Sequence, residues 1–128
     1  MPSLVQGRIV YSKVPIPDPQ GRNPKPGRPF VIITRSGEIA ASDTVQAVGI
    51  TDELGESPKD HYILLPWGEN ARTGLKTKSA ALCTWLVSIS RDKLEVGRGH
   101  INAELVLAIV EKVKQLHKPA EAPDDGKN

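Results

Sequence analysis

Two short segments of this chain carry residue types suited to holding a phosphate. Gly27-Arg28-Pro29 runs straight into the apolar stretch Phe30-Val31-Ile32-Ile33-Thr34, and a second apolar run, Val45 to Ile50, closes on Thr51. An arginine at the mouth of a buried strand is costly to desolvate, so it needs an anionic partner. Its planar fork of donors matches a phosphate or a carboxylate bidentately. A threonine hydroxyl at the end of a neighbouring strand adds one more donor to the same oxygens. The bland alternative for Arg28 is an ion pair that caps a loop, with Asp18, Glu38 or Asp43 as partner. For Thr51 it is an ordinary strand or turn residue.

These residues need strands to hold them. Gly7 to Ser12, Phe30 to Thr34, Thr44 to Thr51, His61 to Leu65, Ser79 to Ile89 and Val96 to Ile101 read as strands, separated by Gly- and Pro-bearing turns. Gly49 suggests a bulge or a close backbone approach, and Gly97 with Gly99 a sharp bend. In the longest run Ala81, Cys83, Trp85, Val87 and Ile89 fall on one face and Leu82 and Leu86 on the other. A strand apolar on both faces suits a curled strand shared by two sheets. Leu105, Ile109, Val113 and Leu116 recur at helical spacing after Asn102, a helix N-cap, and Pro119 ends that helix near His117. The pattern predicts a mainly β chain, a small β-barrel packed against one C-terminal α-helix, over residues 1–117. Residues 118–128 are polar and read as a disordered tail.

Between the first two strands, Lys13 to Gly27 carries five prolines, which exclude helix and central strand. A connection this long in a compact domain is a functional loop or a disordered one. It carries Arg22 and Lys25, and the loop from Trp67 to Lys78 carries Arg72, Lys76 and Lys78. If the two loops flank Arg28, they form a groove tracking a nucleic-acid backbone. Trp67 and Trp85 suit base stacking or core anchoring.

The chain has 128 residues, 25% charged, with a formal net charge of +2, which permits a nucleic-acid partner without demanding one. The single cysteine, Cys83, allows no internal disulfide and reads as a small buried thiol, so a reducing cytoplasm is expected. No stretch approaches the ~20 apolar residues of a membrane helix. His61, His100 and His117 have no metal-ligand spacing, and no metal or cofactor is expected.

The ordered set resembles the MazF/PemK family of toxin endoribonucleases, from about Gln6 to Leu116. It comprises a glycine before the first strand, Arg28-Pro29 before an apolar strand, a third strand ending Ile50-Thr51, and the Ser79–Ile89 run. Arg91-Asp92-Lys93-Leu94, a glycine bend and a final helix complete it. The resemblance implies an SH3-like (PemK/CcdB-type) barrel and a homodimer that cleaves single-stranded RNA without metal, leaving 2′,3′-cyclic phosphate and 5′-hydroxyl ends. It implies Arg28 and Thr51 as the catalytic pair; beside them the loop cations Arg22, Lys25, Lys76 and Lys78, with Thr84 as a hydrogen-bonding group, are the expected RNA contacts. An acidic antitoxin protein is the implied partner. Two positions depart from the family: Lys25 lies where many relatives carry a glutamate, and Thr84 where many carry an acid. A non-cleaving RNA- or protein-binding module on the same barrel, as in CcdB-like inhibitors, therefore stays open.

Overall fold

The computed structural model describes residues 3–117, so the tail expected over 118–128 lies outside the described residues. Six strands are present: β1 Arg8–Ser12, β2 Pro29–Ile32, β3 Thr44–Thr51, β4 Tyr62–Leu65, β5 Ser79–Ser90 and β6 Leu94–His100. They form one antiparallel sheet in the order β4-β5-β3-β2-β1-β6. The mainly β architecture with one C-terminal helix follows the expectation. The sheet keeps two edges, β4 and β6, so "barrel" describes its curl loosely and not a closed ring.

Among the described residues two α-helices complete the fold. Ser36–Ile39 forms a single turn, α1, where the sequence suggested a plain turn. Helix α2 spans Ala103–Leu116, and the Asn102 side chain accepts the Leu105 N–H at 2.8 Å, capping it as expected.

Alternation along the strands divides the core between the sheet's faces. Ile9, Val31, Val48 and Cys83 belong to a cluster that packs against Val106, Ile109 and Val113 of α2. Val10, Phe30, Ile32, Ala47 and Trp85 belong to a second cluster, with Leu4 and Ile16 against it. The expected single face for Ala81 through Ile89 does not hold. Between Val48 and Ile50 of β3 the register on β5 jumps from Leu86 to Ala81, so five steps of β5 lie beside two of β3. This bulge moves Trp85, Val87 and Ile89 to the face opposite Ala81 and Cys83.

Gly49 explains where the bulge goes. A Cβ there would lie 1.9 Å from Cε3 of Trp85, so the indole rests directly on the backbone. Phe30 meets the same indole edge-on, with centroids 4.9 Å apart. Gly97 and Gly99, expected at a bend, lie inside β6 instead. A Cβ at Gly99 would come within 1.9 Å of the Thr73 carbonyl oxygen, so bare backbone is needed for packing.

Among the described residues no helix is long and apolar enough to cross a membrane.

Candidate active site

Strand register brings the arginine and the threonine together. β2 pairs with β3 as Phe30↔Gly49, Val31↔Val48 and Ile32↔Ala47. Continued two residues past Phe30, the same register sets Arg28 opposite Thr51. Directly opposed residues of an antiparallel pair share a face. Both line one cavity of about 200 Å³, together with Arg22, Pro29, Asp52, Lys76 and Ser79 among others.

The proline-rich loop forms one side of this cavity and is built rather than loose. The Trp85 indole N–H donates to the Pro17 carbonyl at 2.9 Å, fixing the loop where Asp18 follows. The Asp18 side chain is 2% exposed, and a carboxylate so buried requires partners. Its Oδ2 lies 3.0 Å from Arg22 Nε and 3.6 Å from Arg28 Nη1. Its Oδ1 accepts the backbone N–H of Gln20 at 2.8 Å. Arg22 reaches on to Glu53, with Nη1 3.2 Å from Oε2, and donates from Nη2 to Thr51 Oγ1 at 3.4 Å.

Arg28 is held more loosely. Its Nη2 donates to the Asn23 carbonyl at 3.3 Å, while its buried Nε–H has no partner among the described residues. The guanidinium therefore keeps donors in reserve. Thr51 is 3% exposed, and its hydroxyl is fully used. It donates to Gln20 Oε1 at 3.2 Å and accepts the Glu53 N–H at 3.1 Å. A ligand that takes the Thr51 hydroxyl must displace Gln20. Arg22, Arg28 and Lys76 line the cavity with Asp52, while Asp18 and Glu53 pair with the arginines from off its wall.

Of the residues singled out in the sequence, Arg28, Thr51, Arg22 and Lys76 line the cavity. Lys25 and Lys78 are exposed and are not on its wall, and Thr84 is half-buried on β5 near the bulge. Of Asp18, Glu38 and Asp43, it is Asp18 that pairs with Arg28. Gln20 and Glu53 were not anticipated. A clue lay in Asp18-Pro19-Gln20, since an Asp two residues before an N–H makes an Asx turn that fixes the following side chains. Cys83 is fully buried and its thiol is pushed up to about 12, chiefly by burial, against a small opposing pull from Lys112. That thiol is a packing group. Among the described residues no three His, Cys, Asp or Glu side chains gather as a metal-binding group.

A small sheet capped by one helix, with a guanidinium and a hydroxyl converging at the β2–β3 end, places this chain in a defined class. The family model described as "PemK-like, MazF-like toxin of type II toxin-antitoxin system" matches residues 5–117, and the chain belongs to that family. The fold is shared with a MazE–MazF structure from Deinococcus radiodurans, at 16% identity and a TM-score of 0.65, covering 92% of this chain and 98% of that one. An endoribonuclease in complex with its cognate antitoxin, from a mycobacterial species, aligns at 14% identity and a TM-score of 0.63 over 93% and 100% of the two chains. The Mycobacterium tuberculosis toxin MazF-mt6 aligns at 18% identity and a TM-score of 0.62 over 84% and 94%. No curated protein matches the sequence.

Proposed function

We propose that this chain is the endoribonuclease toxin of a toxin–antitoxin pair. It cleaves single-stranded RNA without a metal ion, leaving 2′,3′-cyclic phosphate and 5′-hydroxyl ends. The observation that supports this reading is that Arg28 and Thr51 line one cavity, with Arg22 and Lys76 beside them.

In the reaction the ribose 2′-oxygen attacks phosphorus and the bond to the 5′-oxygen breaks. Negative charge builds on the non-bridging oxygens, where fixed donors lower the barrier. Arg28 supplies them from its unused N–H groups, and Thr51 adds its hydroxyl once Gln20 gives way. Arginine stays protonated in proteins, so it stabilises charge and does not act as the base. Asp52 is the lining carboxylate without an ion pair among the described residues, and in this reading it accepts the 2′-hydroxyl proton. The leaving 5′-oxygen takes a proton from water while an arginine N–H hydrogen-bonds to it.

Family membership supports a homodimer in the cytoplasm and an acidic antitoxin as partner. The test is incubation of the purified chain with single-stranded RNA in EDTA. Fragments ending in cyclic phosphate are expected, and they should fall at least 10²-fold for Arg28→Ala and Thr51→Ala. One observation favours the second reading, a module that binds without cutting. Thr51 is already bonded within the chain, and the charges around the cavity balance. RNA left intact across several sequences at high protein concentration would support it.

A further inference from the structure

We propose that Asp18 is the positioning residue of this site, setting both guanidinium groups for the phosphate. The assignment rests on the endoribonuclease reading and extends it. Asp18 lies ten residues ahead of Arg28, in a segment whose composition suggested only a loop, yet its carboxylate is 2% exposed.

One oxygen, Oδ2, bridges Arg22 Nε at 3.0 Å and Arg28 Nη1 at 3.6 Å. The two contacts differ in kind. The Arg22 contact is a charge-assisted hydrogen bond, whereas the Arg28 contact exceeds the usual ~2.8 Å of such bonds. Asp18 thus neutralises Arg22 and only steers Arg28. A phosphate oxygen then finds the Nη donors of Arg28 already oriented, on a side chain that is 16% exposed.

Asp18 is itself held from two directions. The Gln20 N–H fixes Oδ1 at 2.8 Å, and the Trp85 indole fixes the Pro17 carbonyl just before it. The carboxylate also supplies a negative charge beside the two arginines, in a segment whose Lys25 offers no acid. Holding reacting groups in place before the substrate arrives can be worth orders of magnitude in rate.

The test separates turnover from binding. Steady-state cleavage is measured on an RNA, and affinity on the same RNA with a 2′-deoxy sugar at the scissile nucleotide, which cannot react. Asp18→Asn is expected to lower kcat tenfold or more. It should bind the deoxy RNA as tightly as the wild type or more tightly, because one negative charge behind the cavity's arginines has been removed. A role in folding alone would weaken both together, and that outcome would overturn the assignment, as would an unchanged or raised kcat.

If Asp18→Asn does not fold, Asp18→Glu carries the test. It keeps the charge but pushes the guanidinium groups outward, so kcat should fall with binding unchanged. Wild-type turnover in Asp18→Glu would overturn the proposal. A wild-type chain that leaves all RNA intact defeats the nuclease reading, and this assignment falls with it. A wild type that cleaves beside an equally active Asp18→Asn defeats the assignment alone.

Discussion

On the proposed reading, Arg28 acts through geometry as much as through charge. Its loose contacts, 3.6 Å to Asp18 and 3.3 Å to Asn23, leave the fork available to a planar anion. Lysine would restore the charge without the fork. Arg28→Lys should therefore lose roughly 10²-fold in kcat, about 2.7 kcal/mol of transition-state stabilisation, measured by steady-state cleavage. Asp52→Asn should cost about 10²-fold or more in kcat. An unchanged kcat would mean that another group takes the proton.

Cys83 allows a stability prediction at the same scale. Its thiol titrates near 12 in the fold and near 9 when unfolded, so the folded chain holds the proton longer. Stability from this group is intact below pH 9 and is lost as the pH climbs from 9 towards 12, by up to about 1.4 kcal/mol per pH unit. Cys83→Ala should flatten that slope in urea melts run between pH 8 and 10.5. Arg28 and Thr51 were legible in the sequence because an arginine-proline before one apolar strand and a threonine closing another are local features. Gln20 and Glu53 were not, since their roles depend on a loop folding back onto the end of β3.

At the scale of elements, the bulge opposite Gly49 links the sheet to the loop. Trp85 lies on bare backbone at Gly49, and its indole N–H anchors Pro17, the residue before Asp18. A methyl group at position 49 has no room. Gly49→Ala should cost about 1–3 kcal/mol by equilibrium denaturation, with a loss of cleavage beyond the loss of folded protein. Trp85→Phe keeps most of the packing but drops the bond to Pro17, for about 1 kcal/mol. Strand positions were readable to within two or three residues because Pro and Gly punctuate the chain. The bulge was not, because β5 is apolar on both faces and its alternation carries no phase. Likewise, glycines that permit close packing in β6 look the same in sequence as glycines that permit a bend.

For the molecule as a whole, charge sets the terms of binding. A net charge of +2 with a locally balanced cavity predicts attraction of modest strength. With Arg22, Arg28 and Lys76 as the phosphate contacts, log K for single-stranded RNA should fall against log salt with a slope of about −2. Filter binding across 50–300 mM salt would measure it, and a slope near zero would place the RNA elsewhere. The mainly β class and the final helix were legible as a count of strands and one amphipathic pattern. Whether the sheet closes was not, because closure depends on which strands end as edges, and pairing order is a long-range property.

The two tryptophans have a practical consequence. Trp85 is 2% exposed with its indole N–H engaged, while Trp67 is 45% exposed. The chain thus carries two fluorophores in contrasting surroundings, and iodide should quench the outer one first. With Trp67→Phe, the remaining emission becomes an optical gauge of whether the Pro17 segment is seated. A red shift on adding oligonucleotide would time the opening of the site in a stopped-flow trace, with no label attached.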